Sequence, residues 1–146
     1  MIEELKTRAK VGVGLNALRK ALTKELRFVV PKVVKYVELI EGDGGLGTLL
    51  LFNFFSDGSI VAYQKEEIVE LDESFHRIAL QVLEGGHLNK GFSFYMITFQ
   101  LTTIAEQETL VDITISSETE TYQESTMPSK TIKATLEFLK CLETKS

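Results

Sequence analysis

Short apolar runs, separated by turn-forming residues, dominate the chain and predict a protein built mainly from β-strands. The predicted strands cover residues 2–11, 37–40, 49–55, 60–71, 75–83 and 91–102, and Leu110, Val111, Ile113 and Ile115 mark a last one. Because consecutive strands are joined by short turns, the pattern favours an antiparallel sheet. Such a sheet has to bury one of its faces against another element.

Two segments follow the helical period instead. Near the start, leucines recur at steps of three and four residues with basic side chains between them: Leu15, Leu18, Leu22 and Leu26, with Arg19, Lys20 and Lys24. Pro31 predicts a break and a second short helix. Residues 132–142 carry an apolar stripe, and Pro128 suits a first helical turn, where its missing N–H is harmless. This terminal helix is the best available cover for the sheet.

Residues 41–48 (EGDGGLGT) hold four glycines within six positions. Glycine reaches positive φ without a steric penalty, so the segment predicts a loop between two strands. A phosphate-binding P-loop is the alternative, but it needs a Gly-Lys-Ser/Thr sequence that opens a helix. This segment has no lysine, carries Glu41 and Asp43, and precedes an apolar strand. We therefore interpret it as a rigid strand connector.

Composition narrows the class of protein. The chain of 146 residues is 44% apolar and 25% charged, which fits one domain over residues 1–146. A net charge of −5 argues against nucleic acid and against an anionic membrane surface as partners. The charged first residues show no signal segment. Cys141 has no cysteine to pair with, so a reducing, cytoplasmic location is expected. The two histidines and Cys141 give no zinc spacing, and no cofactor is expected.

Three segments together resemble the plant pathogenesis-related class 10 family, which includes the birch pollen allergen and the major latex proteins. They are residues 41–48 (EGDGGLGT), 63–67 (YQKEE) and 83–86 (LEGG). The resemblance looks closest to the legume cytokinin-specific, phytohormone-binding members. The supporting segments are 39–45 (LIEGDGG), 52–54 (FNF), 70–74 (ELDES) and 85–88 (GGHL).

The resemblance implies an α+β helix-grip fold. In this family a curved, seven-stranded antiparallel sheet surrounds a long C-terminal helix, and two short N-terminal helices support it. The resemblance also implies a large internal apolar cavity for small hydrophobic ligands. This chain departs from the pattern between Lys32 and Val37, where relatives have a few more residues. The second helix is therefore expected to be short or partly unwound.

Gln64 and Glu66 are the candidate polar residues of the site. Alternation puts them on one face of a strand but does not say whether that face is inside, because both faces carry apolar neighbours. The matching residues in the hormone-binding relatives line the cavity. A carboxylate only accepts hydrogen bonds, whereas a carboxamide donates and accepts, so the pair suits a planar heterocycle such as an adenine-type cytokinin. Without a ligand, the pKa of Glu66 is expected to be raised.

The family pattern adds residues that would enclose a ligand. They are Leu22, Phe52, Ile78, Leu80, Tyr95, Ile97, Thr135 and Phe138. For each of them, plain packing in the core is at least as good an interpretation. Cys141 is interpreted as a half-buried packing residue. His76 and His87 lie in or beside turns and have no neighbouring nucleophile in the sequence.

The resemblance predicts a non-enzymatic, monomeric or weakly dimeric binding protein for a small plant hormone. Cytokinins are the first choice, and gibberellin-like or other hydrophobic metabolites the second. The alternative is a cyclase of the norcoclaurine-synthase-like branch, whose pattern uses a lysine, a glutamate and an aspartate. The glutamate maps to Glu66, but the other two positions are Ala79 and Ile97, which cannot transfer protons. The ribonuclease activity claimed in the wider family is disfavoured by the negative charge and the lack of a paired histidine.

Overall fold

The computed structural model describes residues 2–25, 34–54, 63–86, 88, 91–120 and 127–145. These residues form one seven-stranded antiparallel sheet, a short helix near the start and a long helix at the end. The elements are β1 (Glu3–Val11), α1 (Leu15–Thr23), β2 (Val34–Glu41), β3 (Leu49–Phe54), β4 (Tyr63–Asp72), β5 (Arg77–Gly85), β6 (Phe92–Ala105), β7 (Glu108–Thr119) and α2 (Met127–Lys145). The predicted α+β class, the sheet and the terminal helix are confirmed. The predicted second helix near Pro31 lies outside the described residues.

The strands follow the order β1-β7-β6-β5-β4-β3-β2 across the sheet. Every neighbouring pair is antiparallel, as short connections between consecutive strands allow. β1 is the exception to consecutive pairing, because it lies beside β7 with Arg8 opposite Asp112. The first and second strands therefore form the two edges of the sheet.

The helix α2 packs over one face of the sheet and buries Phe138, Leu139 and Leu142. The Tyr95 hydroxyl of β6 is hydrogen-bonded to Thr131 of α2, which identifies the face that α2 covers. Residues two apart on a strand share a face, so Ile97 and Phe99 also point to the α2 side. The core of the protein is formed there, with α1 packed against β6 and β7.

The glycine-rich loop is a connector between β2 and β3, as the sequence predicts. Gly42 and Gly44 have φ values of 96° and 97°, which glycine adopts without steric cost. The Gly44 N–H donates to Thr48 Oγ1 at 2.9 Å. The Gly47 N–H donates to the Ile68 carbonyl at 2.8 Å, and the Ile68 N–H donates to the Thr48 carbonyl at 2.9 Å. These bonds tie the loop to β4, and the strand that follows excludes a P-loop.

The start of β5 differs from the prediction. Phe75 was expected to open this strand, but it lies in a turn with 71% of its surface exposed, and the strand begins at Arg77. Asp72 Oδ1 accepts hydrogen bonds from the Ser74 and Phe75 N–H groups at 2.9 and 3.0 Å. His76 then adopts a φ of 55°. An aspartate that bonds the backbone ahead of it favours a turn over a strand.

Two long-range contacts join the start of the chain to its end. The Gly12 N–H donates to Glu143 Oε1 of α2 at 2.7 Å. The Thr109 hydroxyl of β7 donates to the Val13 carbonyl, also at 2.7 Å. The connection between β1 and α1 is therefore held by the last strand and the last helix. Within the described ranges, neither helix combines the length and apolar character that crossing a membrane requires.

Candidate functional site

Gln64 and Glu66 lie on the face of β4 that points toward α2. Both are buried, with 5% and 7% of their surfaces exposed. They share their face with Ile68, whose partner on β5 is Leu80, and Leu80 in turn lies opposite Ile97 of β6. Ile97 points to the α2 side. Leu80 and Ile68, and with them Gln64 and Glu66, therefore point to the same side. The structure thus gives the direction that alternation left open.

The immediate neighbours of Glu66 across the sheet are apolar. Leu50 of β3 and Val82 of β5 lie directly opposite it, and both are buried. The Gln64 Nε2 group donates a hydrogen bond to Glu66 Oε2 at 2.9 Å. Burial raises the pKa of Glu66 to about 7, although the hydrogen bond from Gln64 acts to lower it. The predicted direction of the pKa shift of Glu66 is confirmed.

A hydroxyl pair lies on the same side of the sheet. Thr131 donates its single proton to the Met127 carbonyl at 3.0 Å, so it accepts its hydrogen bond from the Tyr95 hydroxyl. Burial raises the pKa of Tyr95 to about 12, the hydrogen bond with Thr131 acts to lower it, and the negative charge of Glu66 adds to the rise. Tyr95 is therefore a neutral hydroxyl near Glu66. Sequence reasoning named Tyr95 but missed Thr131.

The other residues predicted from the family pattern are all within the described part of the chain. Leu22, Ile78, Leu80, Tyr95 and Phe138 are buried, and Phe52 and Ile97 are partly buried against the same core. Phe52 lies opposite Gln64 on the neighbouring strand. Thr135 donates to the Thr131 carbonyl at 2.7 Å. Their contribution to ligand binding stays a prediction.

The internal cavity also stays a prediction. A surface groove of about 850 Å³ lies along β2 and the glycine-rich loop, away from Gln64 and Glu66. It is lined by Val37, Glu38, Leu39, Ile40, Gly42 and Asp43. This groove is on an edge strand and is not the space between sheet and α2. No cluster of three or more potential metal ligands occurs among the residues that the structure describes.

Comparison with known proteins decides the family. The profile of the Pathogenesis-related protein Bet v 1 family matches residues 15–145. The chain belongs to this family. Among curated Bet v 1 relatives, norbelladine synthase of Narcissus pseudonarcissus is 33% identical over 90 residues, which cover 62% of this chain and 55% of that protein. S-norcoclaurine synthase of Thalictrum flavum subsp. glaucum is 34% identical over 80 residues, covering 55% and 37%.

The Bet v 1 relatives also include allergens. Major allergen Mal d 1 of Malus domestica is 37% identical over 60 residues, which cover 41% of this chain and 37% of the allergen. The chain thus aligns with about half, or less, of the length of these curated relatives. The family comprises enzymes and proteins known as allergens, so membership alone leaves the activity open.

Solved structures of the Bet v 1 fold agree with the observed architecture. Major latex-like protein 151 of Panax ginseng superimposes with a TM-score of 0.83 at 20% identity, covering 99% of this chain and 97% of that one. Norcoclaurine synthase of Thalictrum flavum gives 0.75 at 20% identity, covering 95% and 84%. At these identities the likeness establishes the helix-grip fold alone.

One residue assignment in the comparison with the norcoclaurine synthase pattern is wrong. Ala79 was taken as the position of the lysine, but Ile78 and Leu80 are the β5 residues whose partners point to α2. Ala79 is paired with Thr98 and Glu70 on the opposite face of the sheet. The error is one residue along a strand, which changes the face. The two inward residues are apolar as well, so the position still offers no amine.

The second glycine motif of the Bet v 1 family touches the polar pair directly. Gly85 lies opposite Gln64 in the sheet, and Gly86 follows with a φ of 49°. A Cβ on Gly86 would lie 2.0 Å from Gln64 Oε1 and 2.8 Å from Gln64 Cδ. A Cβ on Gly85 would lie 2.7 Å from the Tyr63 carbonyl oxygen. Sequence reasoning used these glycines as a family signature and missed their contact with the site.

Proposed function

We propose that this protein binds a small hydrophobic plant hormone, with cytokinins as the first class and gibberellin-like or other hydrophobic metabolites as the second. The observation that carries the proposal is the buried, hydrogen-bonded pair of Gln64 and Glu66 on the face that α2 covers. A carboxyl group in apolar surroundings destabilises a fold, so a buried one on the face of a sheet is typical of a functional site. A few convergent polar groups among apolar side chains are typical of small-molecule sites.

The free hydrogen-bonding capacity of Glu66 indicates the ligand chemistry. Gln64 donates one hydrogen bond to the Oε2 atom of Glu66, and the two oxygens of a carboxylate together accept about four, so capacity remains for a ligand. A carboxylate only accepts, so the ligand has to offer an N–H or O–H group. Such a bond to a charged group contributes about 1.5–3 kcal/mol, whereas micromolar affinity needs about 8 kcal/mol. Apolar contacts have to supply the remainder, which favours a ligand that is mostly hydrophobic.

We expect Glu66→Leu to weaken the binding of trans-zeatin by about ten- to one-hundred-fold, as the loss of one charged hydrogen bond implies. The variant should fold, because a buried carboxyl group is replaced by an apolar side chain of similar volume. Isothermal titration calorimetry measures both affinities. Glu67→Leu is the matched control, because Glu67 is the next residue on β4 and points to the opposite face.

Two results would count against the proposal in different ways. No heat and no change in melting temperature at saturating trans-zeatin would exclude cytokinins as ligands. Equal affinities of Glu66→Leu and the unaltered protein would instead exclude Glu66 as the recognition residue. The expectations of a monomer or weak dimer, a cytoplasmic location and no nucleic-acid or membrane partner belong to this proposal.

A second candidate is an amine–aldehyde condensing enzyme or a related cyclase. It is favoured by the pKa of Glu66, because a carboxyl group with a pKa of about 7 suits general acid–base catalysis at neutral pH. Curated relatives of the chain include a norbelladine synthase and S-norcoclaurine synthases. Against it, Ile78, Leu80 and Ile97 carry no proton-transfer group, and the Tyr95 hydroxyl near Glu66 holds its proton at neutral pH because its pKa is raised to about 12.

Incubation with dopamine and hydroxybenzaldehyde tests the enzyme candidate, since a norcoclaurine synthase has been crystallised with this pair. We expect mass spectrometry to detect no more condensation product than in a heat-inactivated control. Product that disappears in Glu66→Gln would instead establish the condensing activity and replace the binding proposal. Product that persists in Glu66→Gln would arise without help from this carboxyl group.

A further inference from the structure

The turn after β5 leaves room for the side chain of Gln64. Gly86 has a φ of 49°, and the position that a Cβ would take lies 2.0 Å from Gln64 Oε1. A carbon and an oxygen atom that are not bonded do not approach so closely. The Gln64 carboxamide therefore occupies the space that the Cβ of any residue other than glycine would need at position 86. Gly86 is itself buried, and the contact is therefore part of the interior.

The Glu66 carboxylate selects the end of the Gln64 carboxamide that faces it, and the space at Gly86 accommodates the other end. With Oε1 against Gly86, the Nε2 group points along the strand and donates to Glu66 Oε2 at 2.9 Å. The opposite orientation would bring the amide oxygen toward a carboxylate, and two acceptors repel. The absence of a side chain at Gly86 thus leaves room for the carboxamide position from which Gln64 donates the hydrogen bond that stabilises the charged form of Glu66.

We propose that Gly86 is a positioning residue of the ligand site, which holds Gln64 so that its amide group orients Glu66 and keeps the carboxylate available to ligands with an N–H or O–H donor. The statement that Gly86 keeps Glu66 available to ligands rests on the proposed function. The effect of Gly86 on Glu66 does not, because it occurs in the protein without ligand. Gly86 acts through Gln64 and has no contact with the ligand in this proposal.

The test is Gly86→Ala in the ligand-free protein. The added methyl group displaces the Gln64 carboxamide, the hydrogen bond to Glu66 is lost, and the pKa of Glu66 rises from about 7 by about one to two pH units. NMR titration of the ¹³C-labelled glutamate carboxyl groups measures this change. A merely structural role of Gly86 would lower stability without moving the pKa of Glu66.

Gly91→Ala is the matched control. Gly91 has a φ of 95°, so its substitution also places a side chain in the left-handed region, but among the described residues, its chain neighbours aside, no atom lies within 4 Å of its added Cβ. Both variants carry a backbone cost, and only Gly86→Ala meets Gln64. We expect the pKa of Glu66 to be unchanged in Gly91→Ala. An unchanged pKa in Gly86→Ala as well would overturn the proposal.

Removing the Gln64 side chain provides the rescue. We expect Gln64→Ala to raise the pKa of Glu66 as Gly86→Ala does, and the double variant to raise it no further. The double variant should lose less stability, relative to Gln64→Ala, than Gly86→Ala loses relative to the unaltered protein, because the clash with the carboxamide is gone and only the Cβ of residue 64, 2.9 Å from the added atom, still has to shift. This comparison decides the case if Gly86→Ala alone does not fold. An equal or larger loss in the double variant would mean that the methyl group displaces something other than the Gln64 carboxamide.

Binding of trans-zeatin separates this inference from the proposed function. A raised pKa of Glu66 in Gly86→Ala, together with no binding to the unaltered protein, would reject the cytokinin ligand and keep the role of Gly86. Binding by the unaltered protein and by both glycine variants, with an unmoved pKa of Glu66, would reject the role of Gly86 alone. Weaker binding in Gly86→Ala than in Gly91→Ala, with a raised pKa, is the result that supports both.

Discussion

The stability of the protein is expected to fall by about 3 kcal/mol between pH 4.5 and pH 7 through Glu66 alone. The pKa of this carboxyl group is about 7 in the folded protein and 4.5 as its ordinary value. Between the two values the folded state binds more protons than the unfolded state, so the free energy of unfolding decreases as the pH rises. Below pH 4.5 both states are protonated, and above pH 7 both are ionised, so the contribution stops changing.

Glu66→Gln isolates this contribution, because the carboxamide has nearly the same shape and does not titrate. Urea unfolding at pH 5 and pH 8 should show that the unaltered protein loses about 2 to 3 kcal/mol more than the variant does. Glu67→Gln, on the opposite face of β4, should follow the unaltered protein. Parallel pH curves for the unaltered protein and Glu66→Gln would contradict the dry surroundings that Leu50 and Val82 provide.

Phe138→Ala is expected to destabilise the protein by about 3–5 kcal/mol, which is the usual cost of removing a buried phenylalanine ring. Phe138 has 7% of its surface exposed and lies on the face of α2 that packs on the sheet, beside Leu139 and Leu142. The free energy of unfolding in urea measures the loss. The residue was predicted as a ligand contact or as core, and a loss of this size supports packing as its main role.

Phe75→Ala is the control for the ring at position 138. The same ring is removed, but Phe75 lies in the turn before β5 with 71% of its surface exposed. We expect its loss of stability to stay below about 1 kcal/mol, as for most surface substitutions. If Phe138→Ala cost no more than Phe75→Ala, the ring of Phe138 would face open space. That result would favour the large cavity that the family resemblance implies.

Local features could be predicted from the sequence because their causes are local. The glycine-rich connector is an example, since positive φ at Gly42 and Gly44 depends on the residue type and its neighbours. The period of α2 is another, because its apolar stripe lies within one continuous segment. The start of β5 at Arg77 was missed by two residues. The turn that competes with the strand depends on the Asp72 side chain, which strand periodicity does not represent.

The site could be predicted only in part. Alternation paired Gln64 with Glu66 but gave no direction, since their face is defined by strands that lie far away along the chain. The resemblance, rather than the pattern, indicated that they point inward. Thr131 was missed although it precedes Thr135 by four residues, which is the spacing of one helix face. The contact of Gly86 with Gln64 needs the register between β4 and β5, which includes irregularities that no spacing rule predicts.

The pairing of β1 with β7 has a consequence for synthesis of the chain. Arg8 and Asp112, joined at 2.7 Å, are 104 residues apart, and Gly12 and Glu143 are 131 residues apart. β1 therefore has no sheet partner until β7 has been made. Forming contacts of such long range costs the entropy of closing a long loop before the contacts stabilise the fold, and this slows folding. β1 carries exposed charged side chains, which include Glu3, Glu4 and Lys6, and charges of this kind disfavour the pairing of an edge strand with other chains.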